Sequence, residues 1–465
     1  MKPILLIDFG STFTKVTAVD VDAPAILATA ASYTTVETDI TTGLDRAVEE
    51  LLAKTGPLDF AHSYACSSAA GGLKMVTSGL VESLTSEAAK CASLGAGAKV
   101  AAVYSFELTE YDVREIIGMK PDILLLCGGT DGGNKACALH NAGMLASAGV
   151  SFPVIVACNR AASAQCEDIL TRAGVRTYRC ENVMPSFNKL NIEPAQSVIR
   201  EVFLSRIVEA KGLDRANSRI EGVTMPTPAA VMQAVTLLSQ GIDGAGGLGE
   251  LMAVDVGGAT TDVYSIAHGY PTYPNAVVHG LPEPFAKRTV EGDIGMRYSA
   301  EGILEAAGME RVMALSGLGE EQISRCLARI HEYYGEVPGD DGDFRAFDGA
   351  LATLAVETAV RRHCGTIEEV YTPAGKVFLQ TGKDLTEVTT LVATGGPIIH
   401  NPAAEELVLR GLTDGDWEGR LRPRSARVLI DKNYILAAMG LLSVHYPEAA
   451  LQLMREELTR DGTAQ

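Results

Sequence analysis

The sequence predicts an α/β protein with more than one packed core, on three observations. Apolar residues make up 47% of the 465 and charged residues 21%, which is enough apolar material to fill several cores. Between residues 44 and 180, strand-like runs alternate with stretches of helical periodicity, the pattern of a mostly parallel sheet covered on both faces. A strand, an Asp, a glycine turn and a second strand open the chain and recur about 250 residues later.

The elements follow in order. Residues 4–9 and 14–19 read as two strands joined by Gly10, Ser11 and Thr12, with a third strand at 25–29. Leu44, Val48, Leu51 and Leu52 mark a helix. Strand runs at 60–66, 100–105, 122–127 and 154–157 then alternate with helices. Helices are expected at 196–211 and 227–240, the second rich in alanine, followed by a glycine loop from Gly241 to Gly249. A second strand–turn–strand occupies 251–266. The chain is mainly helical from 296 to 363, broken by the acidic loop 339–343. Strands near 377–379, 391–394 and 428–430 lead into terminal helices at 433–444 and 447–459.

Charge and cysteine content bound the partners. With 39 Lys plus Arg against 58 Asp plus Glu, the net charge of −19 repels nucleic acid and anionic lipid. The first apolar run stops at Asp8, and the longest uncharged stretch, 222–242, is interrupted by Thr, Ser, Gln and Pro, so no membrane span is expected. Nine cysteines without a C-x-x-C pair predict free thiols and a cytoplasmic protein. Neither His62 with Cys66 nor Cys127 with Cys137 and His140 has zinc-ligand spacing.

The chemistry lies in the repeat. Ile4-Leu-Leu-Ile-Asp8-Phe-Gly10-Ser11-Thr12-Phe-Thr14-Lys15 aligns with Leu251-Met-Ala-Val-Asp255-Val-Gly257-Gly258-Ala259-Thr260-Thr261-Asp262. A hairpin tipped with glycine and hydroxyl residues can aim several backbone N–H groups at one anion, because glycine admits the ligand's oxygens. The Asp at the strand end would be repelled by a phosphate but can hold Mg²⁺ or its waters, and Lys15 adds a point charge. Two such hairpins facing one another would clamp a polyphosphate. A third motif, Leu391-Val-Ala-Thr-Gly395-Gly396-Pro397, ends a strand in a double glycine against which a flat base could lie. Two small-residue helices, beginning Thr227-Pro-Ala-Ala and Tyr434-Ile-Leu-Ala-Ala-Met-Gly440, suit a close helix crossing.

This order of motifs resembles the actin, hexokinase and heat-shock-chaperone ATPase superfamily. Within it the chain is similar to the glutamate mutase accessory-protein L family, through the hairpins and the segments 126–134, 291–297 and 434–442. The resemblance implies a two-lobed actin-like (ribonuclease H-like) ATPase fold: a first lobe over 1–245, a second over 246–432, and C-terminal helices over 433–465. The wide spacing of Asp8 and Asp255 requires a nested α/β insertion in the first lobe, about residues 60–200. It further implies ATP and Mg²⁺ as cofactors, with Asp8 and Asp255 at the metal and attacking water. Gly10, Ser11, Thr12, Thr14, Lys15, Gly257, Gly258, Ala259 and Thr260 would meet the phosphates, and Gly395, Gly396 and Pro397 the adenosine. Asp293, in Glu291-Gly-Asp293, is a further candidate to orient water, with capping of a helix start as its alternative role. The implied partner is an adenosylcobalamin-dependent mutase, of the glutamate (methylaspartate) mutase or aminomutase type, served by a reactivating chaperone. A homo-oligomer is allowed. A small-molecule kinase and an actin-like filament or scaffold protein are the rival functions. Two readings stay open for Gly128-Gly-Thr-Asp-Gly-Gly-Asn134: an anion site at a helix start, or a structural turn.

Overall fold

A computed structural model describes residues 1–10, 13–34, 40–68, 73–210, 221, 223–335, 338–373, 375–415 and 417–459. The chain packs as two compact units. Unit 1 comprises Met1–Ala234, Gly280–Pro284 and Leu436–Leu453, and unit 2 comprises Val235–His279, Phe285–Ile435 and Met454–Gln465. The boundary therefore falls inside the helix Thr227–Gln240, and the C-terminal helices divide between the units.

In unit 1 the strand Pro3–Phe9 lies at the centre of a five-stranded sheet and is buried along its whole length, which is why it reads as a continuous apolar run. It pairs antiparallel with Phe13–Asp20, which pairs antiparallel with Ala25–Tyr33. On its other side it runs parallel to His62–Ser67, itself parallel to Val223–Pro226. The run at 60–66 thus belongs to this first sheet and not to the alternating segment that follows. Its neighbours in space are far away in sequence, and alternation alone could not assign it.

The nested segment forms a separate all-parallel sheet in the order Ala98–Ser105, Leu73–Gly79, Ile123–Leu126, Val154–Val156, Thr177–Arg179. Side-chain alternation assigns its two faces. Leu73, Met75, Ile123, Leu125 and Ile155 share a core with Leu5 and Ile7 of the first sheet. Val76, Leu124, Leu126, Val154 and Val156 pack under the helices Glu110–Met119, Ala136–Ser147 and Arg160–Arg172. Truncating a fully buried leucine such as Leu125 to alanine would cost about 2–5 kcal/mol.

Unit 2 contains a sheet in the order Ala286–Glu291, Thr261–Ile266, Leu251–Val256, Thr390–Thr394, Arg427–Ile430. The 22-residue helix Gly342–His363 backs it with Phe344, Phe347, Leu351 and Leu354, all fully buried. Counted in chain order, the sheet around Pro3–Phe9 and the sheet around Leu251–Val256 both read 3-2-1-4-5, with strand 2 antiparallel and strands 1, 4 and 5 parallel. This is the ribonuclease H-like topology, present twice, as expected for an actin-like fold. All nine cysteines are free. Among the described residues, no helix is long and apolar enough to cross a membrane.

Candidate functional site

The two hairpins are built alike. Asp8 and Asp255 each occupy the last position but one of strand 1 in their unit. Two residues on, Gly10 N–H donates to the Phe13 carbonyl at 3.1 Å, and Gly257 N–H donates to the Thr260 carbonyl at 2.9 Å. A Cβ on Gly10 would lie 2.5 Å from Phe13 O and one on Gly257 2.8 Å from Thr260 O, so both turns exclude a side chain.

In unit 1 Asp8 is only 6% exposed. Its Oδ1 accepts the Thr227 hydroxyl at 2.6 Å and faces the Cys66 thiol at 3.5 Å, while Oδ2 is 3.8 Å from Lys15 Nζ. Burial and the neighbouring Asp8 charge push the Cys66 thiol well above its ordinary pKa, so it stays protonated and can donate. Thr14, expected to meet the ligand, is fully buried. Its hydroxyl lies 3.1 Å from that of Thr34, which donates to the Gly10 carbonyl at 3.0 Å, so Thr14 braces the turn from within. Ser11 and Thr12 lie outside the described residues. The helices Thr227–Gln240 and Leu436–Ser443 do cross closely, since a Cβ on Gly440 would collide with the Ala230 carbonyl.

In unit 2 the turn 257–260 is supported from below. Gly257 O accepts from Met296 N at 3.0 Å, and Gly258 O accepts from Arg297 N at 2.8 Å and Tyr298 N at 2.9 Å. Asp255 is half-buried and receives the Tyr434 hydroxyl at Oδ1, 3.4 Å away. Tyr434 has a left-handed backbone, φ 56°, in a turn held by Asp431, whose Oδ1 accepts from Ile435 N and whose Oδ2 accepts from Thr394 Oγ1. Gly395 abuts the same strand end, because a Cβ there would run into Val256 O and come within 2.7 Å of Val256 N. The double-glycine turn and the second hairpin thus share one neighbourhood. Gly396 has open space where a side chain would project, and Pro397 stands in the first turn of the short helix Gly396–Ile399.

Three carboxylates are accounted for locally. Asp262 is paired with Arg288 at 2.6 Å; burial opposes the guanidinium charge, but Asp262 and Tyr264 hold its pKa above the ordinary value. Asp293 is exposed and bidentate on Arg362, at 2.7 and 2.9 Å, a cation that it shares with Glu291. Asp293 caps no helix, since the next helix starts at Ala300. The Gly128–Asn134 turn is held by two asparagines from outside it. Asn159 Nδ2 donates to the carbonyls of Gly133 and Asn134, and Asn182 Nδ2 donates to Gly129 O and Asp131 Oδ1.

No group of three or more His, Cys, Asp or Glu among the described residues could form an all-protein metal cage. Within each unit, a single strand-end carboxylate with one oxygen already held by a hydroxyl is a donor of the kind Mg²⁺ takes, since that ion uses one or two carboxylates and fills its remaining positions with water and phosphate. Sequence reasoning passed over Thr227, Cys66 and Tyr434 as site residues. Thr227 and Tyr434 had been noticed only as the starts of small-residue helices.

Two ribonuclease H-like units, each with an Asp–x–Gly hairpin at the end of its first strand, define a protein of the actin-like ATPase fold. The chain belongs to the MutL protein family, whose model matches residues 4–458. Protein MutL of Clostridium tetanomorphum is 47% identical over 462 residues, spanning 99% of this chain and 100% of that protein. Solved structures are much more loosely similar. Diol dehydratase-reactivating factor in nucleotide-free form is 11% identical, with 96% of this chain and 100% of that one covered and a TM-score of 0.35. Glycerol dehydratase reactivase is 10% identical, with 95% and 99% covered and a TM-score of 0.34.

Proposed function

We propose that this protein binds Mg-ATP, hydrolyses it slowly, and uses the cycle to reactivate an adenosylcobalamin-dependent mutase of the glutamate mutase or aminomutase type. The observation that carries the reading is the equivalence of the hairpins: Asp8-x-Gly10 and Asp255-x-Gly257 occupy the same strand position, with the same glycine hydrogen bond, in two copies of one topology. Membership of the MutL family and the sequence resemblance to the mutase accessory proteins support the partner.

In this reading Asp8 and Asp255 hold the metal and its waters. The backbones of Gly10 to Thr12 and Gly257 to Thr260 bind phosphate oxygens, and Lys15 neutralises charge beside them. Gly395, Gly396 and Pro397 bound the adenosine. Magnesium, when bound, would offset the phosphate charge and polarise the reacting phosphoryl group. The chain's own contribution is positioning and fixed electrostatics. Asp293 would act on water only after release from Arg362, and is the weakest of the assigned residues. The useful output is a released or exchanged partner, in keeping with slow turnover coupled to motion.

The test uses the full chain with a mutase inactivated by damaged cofactor. Mg-ATP should restore mutase activity with wild-type protein and not with Asp8→Ala. A phosphorylated small molecule as the product of ATP consumption would instead identify a kinase.

A further inference from the structure

We propose that Thr227 is a positioning residue for Asp8, presenting one carboxylate oxygen to the metal by holding the other; this rests on the Mg-ATP reading above. Thr227 opens the helix Thr227–Gln240, and a threonine ahead of Pro228 would by habit serve its own helix end. Its single hydroxyl proton has two candidate acceptors here, Asp8 Oδ1 at 2.6 Å and Cys66 Sγ at 3.6 Å. The shorter contact, to a carboxylate, is a charge-assisted hydrogen bond and takes the proton. The Cys66 thiol approaches the same Oδ1 at 3.5 Å. Both donors therefore converge on Oδ1, leaving Oδ2 as the oxygen turned toward Lys15.

The joint is closely packed on its other side too. Pro226, the residue before Thr227, is pressed by Gly97 of the nested α/β segment, where an added Cβ would lie 2.9 Å from Pro226 Cβ. Gly97 has φ 93°, so its backbone also favours glycine. The start of the helix is thus wedged between the nested segment and Asp8, and the carboxylate's orientation depends on where that helix begins. In this arrangement the hydroxyl acts through Asp8.

Isothermal titration of ATP into the full-length protein, in magnesium and in EDTA, tests this. The wild type should bind more tightly in magnesium. Thr227→Val, which keeps the shape and loses the hydroxyl, should cut that magnesium-dependent gain on the order of tenfold while leaving affinity in EDTA within about twofold. Thr227→Ser should restore the gain, and Thr227→Ala, used if the valine variant does not fold, should lose it as valine does. A magnesium-dependent wild type with a Thr227→Val or Thr227→Ala variant that keeps the full gain overturns the positioning role alone. A wild type that binds ATP equally with and without magnesium overturns the metal reading and this proposal together.

Discussion

Replacing Gly395 by alanine tests whether the double-glycine turn is shaped by the strand that carries Asp255. Gly395 sits at φ 106° and ψ 142°, a region that L side chains rarely enter, at a cost of about 1–3 kcal/mol. The added methyl would also overlap the Val256 carbonyl and lie 2.7 Å from Val256 N, so backbone must move, adding about 1–3 kcal/mol as in an overpacked core. Together these predict a loss of roughly 2–6 kcal/mol from unit 2. The assay is built in, because Trp417 is the only tryptophan and lies in unit 2, with Arg361 and Arg422 over its ring at 5.5 and 5.1 Å. Its fluorescence during guanidinium denaturation should show the midpoint falling. Gly396→Ala is the control, with no atom within 4 Å of the new methyl; it should leave the midpoint unchanged or slightly raised and weaken only ATP binding. A Gly395→Ala unfolding free energy within about 1 kcal/mol of wild type would refute the strain argument.

The other predictions are more local. Arg288→Met should destabilise unit 2 by about 3–5 kcal/mol by stranding the Asp262 carboxylate, read on the same fluorescence. Gly440→Ala should push apart the helices Thr227–Gln240 and Leu436–Ser443, raising hydrogen exchange at residues 227–234. His363 is fully buried between the hydroxyls of Ser265 and Thr289, and burial, then Lys287 and Lys383, hold its pKa well below the ordinary value. The unfolded chain therefore takes up the extra proton near pH 6.5 while the folded unit does not. Its contribution to stability is complete above that pH and falls away as pH drops toward the depressed folded value. His363→Gln should flatten this acid-side slope in Trp417-monitored denaturation.

Much of this was legible in the sequence wherever the signal is local. A buried strand closing on Asp-x-Gly is written in consecutive residues, as is the alternation that announced the nested sheet. What escaped depends on contacts across long separations. Thr227 meets Asp8 across 219 positions, and Tyr434 meets Asp255 across 179. The strand Leu73–Gly79 was missed because Lys74, Thr77 and Ser78 break its apolar run, although Thr77 and Ser78 are fully buried. Asp293 looked like an available carboxylate only because Arg362 lies 69 residues further on. Thr14 carries the hydroxyl expected of a phosphate ligand, but the two-residue repeat of its strand turns it to the buried side, where it meets Thr34.

The central claim is that the Asp-x-Gly hairpins make this chain a magnesium-dependent ATPase in the service of a mutase. The most direct measurement is phosphate release by purified wild-type protein and by Asp8→Ala, each with and without the cofactor-damaged mutase. Slow, magnesium-dependent release that the mutase stimulates and Asp8→Ala abolishes, with the circular dichroism spectrum unchanged, is the predicted result. Equal phosphate release by the two proteins would contradict it.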